Sequence, residues 1–430
     1  MNPSARVLGL WDSMAIIVGI VIGVGIFKVP AEIAREIPSA QWILWAWLAG
    51  GIISLLGCLC YAQLSALLPK TGGTYVYLRE SYGPFLAFLY AWVELFLIRP
   101  GSMAAVSFIF AEAVISLFSL ASMHLKTLAI LSILILVLMN LRGLGTSKQI
   151  QSALAIVVVV ILAGTVLCGI ASQKGDTGYF LASGMKPGKE GMQHFALALI
   201  PILWTYGGWH ENTFMGGETK DPSRVIPKAL ILALALITFL YLAINAVYLY
   251  LIPLAEMAES GLVISDVMAA LFGASGGKIV DGLVILTSLG TMNGVLMTGS
   301  RMAQACFGDF RDFSSSAVLY FAVCFMGVLA VLMMVLGTFR SLLFFTGIFV
   351  WLFFAFVSVS VFILRRQGNF AKPSRLFLHP LAPALFFFLS AALFFNTLAT
   401  YPAQSLIGFG LVLPAIPLYL TARRWKQSPG

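Results

Sequence analysis

The sequence predicts an all-α transmembrane protein of about twelve helices: two inverted repeats of five helices, with helices 1 and 6 broken, followed by two C-terminal helices. Three observations predict this fold: an apolar composition, apolar stretches of about 20 residues that recur along the chain, and two helices interrupted by glycines. Of the 430 residues, 60% are hydrophobic and 10% are charged, whereas soluble domains carry about 25% charged residues. A water-soluble fold is therefore excluded.

Each predicted span is long enough to cross a hydrocarbon core of roughly 30 Å as a helix. The predicted spans are 7–35, 42–68, 83–118, 126–141, 149–172, 194–219, 227–252, 278–308, 315–337, 341–366, 379–399 and 404–422. They group into a first repeat at 1–172, a second repeat at 194–366, and helices 11 and 12 with a cytoplasmic tail at 379–430. The longer connections, 173–193 and 253–277, are expected outside the cell, the second with a short helix at 262–272. No signal-peptide cleavage pattern follows the first span, so we expect it to be retained.

The net charge of +9 is interpreted as topology, because Lys and Arg concentrate on the cytoplasmic side of membrane proteins. If Arg6 is cytoplasmic, roughly 17 of the 26 basic residues lie on its side of the membrane. We therefore expect a multi-pass protein of the plasma (inner) membrane with both termini in the cytoplasm. The partner that this charge indicates is the lipid bilayer and not nucleic acid.

All of the cysteines lie within or at the ends of apolar segments: Cys58, Cys60, Cys168, Cys306 and Cys324. Cys58 and Cys60 are two residues apart and face different sides of a helix, so they cannot chelate one metal ion. No disulfide framework or zinc site is expected. Since no cysteine lies in an external loop, the sequence gives no evidence for a disulfide-linked accessory subunit.

Two spans contain glycines at mid-membrane, where a helix break is costly because the freed backbone groups need partners. Gly23 and Gly25 interrupt the first span, and the pair Gly207 and Gly208 interrupts the sixth, after Pro201. The first and sixth spans are the first helices of the two predicted five-helix repeats, so the breaks lie at corresponding positions. In transporters of that design, free amides of a broken helix hold an anionic group and free carbonyls hold a cation, which suits a zwitterion. The alternative is that the glycines only allow close helix packing.

Several motifs resemble the amino acid, polyamine and organocation (APC) transporter superfamily, and within it the prokaryotic L-type amino-acid transporters. The resemblance covers helices 1 to 8, and helices 9 to 12 agree only in hydropathy. The motifs are IGVGIF at 22–27, CYAQLSALLPKTGGTYVYLRESYG at 60–83, WVELFLIRP at 92–100, TYGGW at 205–209, ETKDPSRVIPKAL at 218–230 and GTMNGVLMTGSR at 290–301.

The resemblance implies secondary transport of amino acids by alternating access, as an exchanger, with no cofactor. It implies that a substrate carboxylate meets the amides of Ile22, Gly23, Val24 and Gly25. Val24 stands where the family commonly has serine. The substrate amine would meet carbonyls of Trp204, Thr205 and Gly207, with Trp204 as a gate over the site. The alternative for Trp204 is a bulky interfacial tryptophan.

His210 and Glu211 follow the sixth-span break, where L-type relatives commonly have uncharged residues. They are candidates to contact the substrate side chain or to carry a proton. The alternative is a buried glutamate that pairs with Lys28 to hold the outer gate. Glu94 and Arg99 are also at membrane depth, and because five residues separate them on a helix, we expect each to meet a partner from another element.

The sequence leaves the mode of transport open among exchange, proton coupling and sodium coupling. Many sodium-independent relatives carry a helix 5 lysine in place of sodium, and Val158 aligns with it here. Thr287 and Ser288 are spaced from Val284 as in the sodium site of a related bacterial transporter, and hydroxyl oxygens suit a hard cation. The alternative is that these hydroxyls bind their own helix carbonyls.

Two other classes of protein compete with a transporter. His210 and Glu211 invite comparison with the HExxH motif of metallohydrolases, but Phe214 stands where the second histidine belongs, so enzyme function is not expected. A channel is disfavoured because broken helices in both repeats indicate an occluded site and not an open pore.

Overall fold

The computed structural model describes residues 6–181, 188–273, 275–309, 315–336, 339–367, 378–400 and 402–427. Over these residues the chain is all-helical. Nine of the described helices are long and apolar enough to cross a membrane, and a bent pair provides a tenth span. The predicted all-α transmembrane fold is confirmed, while the division into two repeats stays a prediction.

The first half of the chain contains the spans predicted as 1 to 5. Its helices are α1 (Leu10–Val21), α2 (Gly25–Glu36), α3 (Ala40–Leu67), α4 (Thr74–Tyr82), α5 (Pro84–Val93), α6 (Arg99–Phe118), α7 (Leu125–Leu141) and α8 (Leu144–Ala171). Helices α1 and α2 form the bent pair, at an angle of 47°. Helices α5 and α6 form one span, joined by a π-helical turn at Glu94–Ile98.

The second half contains the remaining predicted spans. Its helices are α9 (Gly178–Leu181), α10 (Lys189–Thr205), α11 (Pro222–Leu251), α12 (Leu254–Glu259), α13 (Val263–Phe272), α14 (Ser275–Gly308), α15 (Ser315–Leu336), α16 (Phe339–Arg366), α17 (Leu381–Thr400), α18 (Pro402–Val412) and α19 (Ala415–Gln427). Helix α13 confirms the short helix predicted at 262–272. The predicted last span is divided at Pro414, because proline disfavours helical backbone in the residue before it.

Helix α4 occupies most of the connection between the second and third spans. Gly73 and Gly83 bound this helix with φ angles of 47° and 91°, conformations that glycine adopts without steric cost. Helix α4 lies against α5 and α16. The connection is therefore a packed element beside the transmembrane bundle.

Helices α7 and α8 present apolar side chains outward at helical spacing, as a bilayer requires. Leu131, Leu134 and Leu138 are exposed on α7, and Ile156 and Val160 are exposed on α8. By contrast, α3, α11 and α14 lie at the centre of the bundle.

Glycines on α3 bring the sixth span close to the centre of the bundle. A Cβ on Gly50 would clash with Ile202 Cγ2, and a Cβ on Gly57 would lie 2.6 Å from Trp209 Cζ2. These small residues therefore fix where the sixth-span break lies.

Candidate functional site

The first break leaves backbone amides free at the start of α2. The amides of Ile22 and Gly23 are used, since they donate to Val18 O and Val21 O at 2.9 Å each. The first donors of α2 are the Phe27 and Lys28 amides, which both bond to Val24 O. The amides at 24–26 precede them, and such first-turn amides have no intrahelical partner. The N-terminus of α2 therefore offers donors and a partial positive charge.

The second break is the end of α10 at Thr205. The Gly207 amide donates to Trp204 O at 2.9 Å, and Gly208 reverses the backbone at φ 101°. Beyond it the chain forms 3-10 turns at Trp209–Phe214 and Gly216–Glu218 in place of the helical half that the sequence predicts. His, Asn, Thr and Gly are all weak helix formers, which accounts for this difference.

One hydroxyl joins the two breaks. Tyr241 on α11 is fully buried, and its Oη lies 2.9 Å from Val21 O and 3.3 Å from Thr205 O. Val21 and Thr205 are the last residues of α1 and α10, whose final carbonyls lack intrahelical donors. Tyr241 therefore holds the carbonyl ends of both broken helices at one point, a role that the sequence did not reveal.

A cavity of about 270 Å³ opens between the breaks. Eight of the predicted site residues line it: Gly23, Val24, Gly25, Trp204, Thr205, Gly207, His210 and Glu211. Ile22 is fully buried and is not among the lining residues. The fold therefore gathers nearly all of the predicted site, and binding of substrate there stays a prediction.

The wall of the cavity is mostly apolar and comes partly from helices whose role the sequence did not indicate. It is lined by Ile98, Val106, Ile109, Val350, Trp351, Phe353, Phe354 and Phe386. The last five belong to α16 and α17, which contain none of the motifs described above. An apolar run alone does not distinguish a wall of the site from a lipid-facing helix.

Glu94 and Arg99 form an ion pair at the bottom of the cavity, with Arg99 Nε 2.9 Å from Glu94 Oε2. The expectation that they lie too far round a helix to pair is wrong. The Arg99 amide bonds to Glu94 O, five residues back, which is the π-helical pattern that places such residues over one another. Pro100 has no amide to donate four residues back, so an α-helical ladder is interrupted here in any case.

Glu211 is the second acidic residue that pairs with Arg99. Arg99 Nη2 donates to Glu211 Oε2 at 3.0 Å and to Oε1 at 3.2 Å. Thr298 on α14 donates to Glu211 Oε2 at 2.5 Å and lies 2.9 Å from Arg99 Nη1. We call Glu94, Arg99, Glu211 and Thr298 the floor cluster. The proposed pairing of this glutamate with Lys28 is wrong, since Lys28 is exposed on the surface of α2.

His210 lies beside the floor cluster inside an aromatic enclosure. Its Nε2 is 3.8 Å from Glu211 Oε1, and its ring centroid is 5.4 Å from that of Tyr61 and 5.0 Å from that of Phe354. Within the described residues, His210 Nδ1 has no hydrogen-bond partner. The ring therefore has one buried nitrogen without a hydrogen-bond partner in this conformation.

Trp204 and Trp209 differ in exposure although both line the cavity. Trp204 is 51% exposed, whereas Trp209 is 3% exposed and stacks on Phe354 at a centroid distance of 5.5 Å. Trp209 is thus a core residue, and Trp204 does not cover the cavity in this conformation.

The candidate sodium ligands on α14 have separate environments. Thr287 Oγ1 donates to Val284 O of its own helix at 3.1 Å, which is the alternative stated for it above. Ser288 lines the cavity, and its buried Oγ has no hydrogen-bond partner among the described residues. Val158, at the place of the family lysine, is buried in α8.

Contacts close the face of the molecule that carries residue 6, which we call the N-terminal face. Arg301 binds Glu218 through two hydrogen bonds, of 2.9 and 3.1 Å. The amides of Val7 and Leu8 donate to Glu218 O at 2.9 and 3.0 Å. These contacts tie the chain start, the sixth span and α14 together below the floor cluster.

The connection before α4 covers the same face. The Gly72 amide donates to Phe214 O at 3.1 Å, and Arg79 Nε lies 2.5 Å from Asp309 Oδ2. Tyr75 donates to the same carboxylate at 2.6 Å, and because burial raises its pKa, the hydroxyl stays a neutral donor. The cavity is therefore closed toward the N-terminal face.

A polytopic helical fold, two broken helices and a cavity between the breaks define a membrane transporter. The chain matches the amino acid permease family over residues 8–413. It belongs to that family, within the APC superfamily, and is a multi-pass membrane transporter and not an enzyme. The predicted resemblance is confirmed.

Three relatives illustrate the similarity. The serine/threonine exchanger SteT of Bacillus subtilis is 28% identical over 440 residues, covering 99% of each chain. The human b(0,+)-type amino acid transporter 1 is 29% identical over 83% of this chain and 76% of its own length. The human large neutral amino acids transporter small subunit 2 is 27% identical, with 98% and 81% covered. Transport of amino acids is common to these relatives.

Proposed function

We propose that this protein exchanges α-amino acids across the membrane by alternating access, with the zwitterionic head group held between the two helix breaks. The observation that carries the proposal is the convergence of both breaks on one cavity, with free amides on one side and helix-end carbonyls on the other. A site with both charges suits a carboxylate and an ammonium group on one carbon.

The carboxylate is placed at the start of α2, near the amides of Val24 and Gly25. The positive end of the α2 dipole favours an anion there. The ammonium is placed at the end of α10, near the carbonyls of Trp204, Thr205 and Gly207. The Trp204 and Thr205 carbonyls already accept one hydrogen bond each, and each oxygen has a second lone pair for the substrate.

The substrate side chain faces the apolar wall and His210. Phe353, Phe354 and Trp351 offer aromatic surface, and His210 adds one polar contact. We propose that His210 and Glu211 set the preference among side chains, His210 by contact and Glu211 through the charge of the floor cluster. Trp204 acts as the gate when the cavity closes over a bound substrate.

Exchange is favoured over sodium coupling by two features of the described residues. Thr287 uses its hydroxyl on Val284 O, which leaves one fewer oxygen for a hard cation. SteT, which aligns over 99% of this chain, is named an exchanger. Both termini are placed in the cytoplasm by the positive-inside bias, so the closed N-terminal face is the inner face and the cavity opens outward.

We expect no disulfide-linked accessory subunit. The exposed cysteines are Cys168 and Cys324, and both lie within apolar helices, α8 and α15. Cys324 lies in the middle of α15 and Cys168 lies in the last turn of α8, so neither lies in a loop where it would meet a partner's external cysteine.

Uptake into proteoliposomes tests the proposal. Vesicles preloaded with an unlabelled amino acid should take up labelled amino acid, whereas empty vesicles should not, with or without an inward sodium gradient. A thermal-shift scan against all amino acids selects the substrate, since occupancy stabilises by RT ln(1 + [L]/Kd). Equal uptake by empty and loaded vesicles contradicts exchange, and loss of sodium-stimulated uptake in Thr287→Ala with Ser288→Ala supports the cation site instead.

A further inference from the structure

The floor cluster contains one more acid than base. Glu94 and Glu211 share Arg99, and the side chains of all three are at most 11% exposed. If both acids are ionised, the cluster carries one net negative charge. A buried charge without a counter-charge is strongly unfavourable.

The surrounding elements supply no second positive charge among the residues that the structure describes. Tyr61 on α3, Tyr90 on α5 and His210 face the cluster, and α16 contributes the rings of Phe353 and Phe354. Arg301, one turn further along α14 from Thr298, is bound by Glu218. His210 lies within an enclosure of aromatic rings, with its Nε2 3.8 Å from Glu211 Oε1.

We propose that the floor cluster is a proton-binding site, with one proton shared between Glu94 and Glu211. Two carboxylates at one site do not both stay ionised when only one cation compensates them. The proton comes from a hydronium ion in the cavity: one O–H bond of the hydronium breaks, which leaves a water molecule, and one O–H bond to a carboxylate oxygen forms. A larger cation is disfavoured because so little of these side chains is exposed.

The location of the proton decides how firmly the sixth span is held. Ionised Glu211 accepts charge-assisted hydrogen bonds from Arg99 on α6, and these are about twice as strong as neutral ones. A proton on Glu211 weakens this tie between the sixth span and α6, whereas a proton on Glu94 leaves it intact. This inference rests on the proposed function, since it makes the tie a step that the proton controls in the transport cycle.

Infrared spectroscopy of the purified protein tests the proton site without any substrate. The wild type should show the carbonyl stretch of a protonated, buried carboxyl group. Glu94→Gln and Glu211→Gln should each abolish that band, because one remaining carboxylate is balanced by Arg99. Glu36→Gln is the matched control, since Glu36 pairs with His194 at 3.3 Å outside the cavity, and the band should persist. A spectrum without the band in the wild type, or with it in both floor variants, overturns the proposal.

The pH dependence of exchange in proteoliposomes separates the two acids. Wild-type exchange should speed up as pH falls, by at most about tenfold per pH unit for one linked proton. Glu211→Gln resembles the state with a proton on Glu211, so this variant should exchange quickly at every pH. Glu94→Gln keeps the hydrogen bonds between Arg99 and ionised Glu211, so it should exchange slowly at every pH. Glu36→Gln should follow the wild type.

His210→Asn identifies the competing position of the proton. The pH dependence of exchange should survive in His210→Asn. If it is lost in His210→Asn but survives in both glutamate variants, the proton is on His210 and the assignment is overturned. If wild-type protein exchanges no amino acid at any pH, the proposed function fails, while the infrared band still decides the proton site.

Discussion

Gly25 and Thr205 bring the two helix breaks into close contact: a Cβ on Gly25 would lie 2.9 Å from both Cγ2 and Oγ1 of Thr205. Thr205 Oγ1 is itself fixed by a 2.9 Å hydrogen bond to Pro201 O. A side chain at position 25 therefore has to push the end of α10 away from the start of α2. The spacing of the two breaks depends on the absence of one methyl group.

The first prediction follows from this contact. Gly25→Ala should reduce substrate affinity by at least tenfold, because separating the breaks misplaces the amides relative to the carbonyls. The matched control is Gly282→Ala on α14, where an added Cβ meets nothing within 4 Å. Thermal-shift titration with the preferred amino acid measures both. Equal affinity in the two variants would mean that the breaks do not form the binding site.

The second prediction concerns the hydroxyl that joins the breaks. Tyr241→Phe should lower the free energy of unfolding by about 1 to 3 kcal/mol, because the buried Thr205 carbonyl loses its side-chain donor, while Val21 O keeps the Gly23 amide. It should also weaken substrate binding, since Val21 and Thr205 lose their common partner. Tyr206→Phe is the control, because its hydroxyl donates to Trp47 O on α3, at 3.2 Å. The two variants should lose similar stability, and a similar loss of affinity as well would remove the special role of Tyr241.

The positions of the breaks could be predicted from sequence, but the shape of the site could not. The breaks are predicted by glycines at mid-membrane, because glycine destabilises a helix there and the freed backbone groups need partners. These glycines are Gly23, Gly25, Gly207 and Gly208. The direct pairing of Glu94 with Arg99 was missed because it depends on a π-helical turn. The only sequence signal for that turn is Pro100, and proline more often marks an ordinary kink.

Long-range contacts account for what else was missed. Tyr241 is an unremarkable aromatic residue in an apolar run, and its role depends on where two other helices end. The wall from α16 and α17 has the same hydropathy as a lipid-facing helix. Such roles are set by packing between distant segments, which hydrophobic periodicity does not encode.

The third prediction separates the two tryptophans of the sixth span. Trp209→Ala should cost about 3 to 5 kcal/mol of stability, because it empties a buried site beside Phe354. Trp204→Ala should leave stability nearly unchanged, since half of its surface is exposed, and should speed the loss of bound substrate if Trp204 is the gate. Chemical denaturation in detergent measures the first effect, and the efflux rate of labelled substrate measures the second. Equal efflux rates in the two variants would argue against the gate.

The fourth prediction concerns selectivity. His210→Asn should change the rank order of competing amino acids, because His210 offers a polar nitrogen to a mostly apolar cavity. The substitution leaves the Arg99–Glu211 pair in place, so the floor cluster is preserved. His124→Asn, on an exposed turn outside the cavity, is the same change without the contact and should leave the order unaltered. Competition against uptake of one labelled substrate gives the order, and an unchanged order in His210→Asn would assign His210 to the scaffold.

The fifth prediction concerns the closure of the N-terminal face. Glu218→Gln leaves the Arg301 guanidinium buried without its anion, which typically costs about 3 to 5 kcal/mol when the pair stays together. The protein can avoid that cost by separating the sixth span from α14, so the variant should favour the state open at this face. Thr213→Cys, in a background with the native cysteines replaced by alanine, is the reporter. Gly73 covers Thr213 in the closed state so closely that a Cβ added to Gly73 would lie 2.6 Å from Thr213 Oγ1. A maleimide should label this cysteine faster in Glu218→Gln than in the parent protein. The swap of Glu218→Arg with Arg301→Glu should restore slow labelling, and fast labelling in the swap would show that the ion pair is not what holds the face closed.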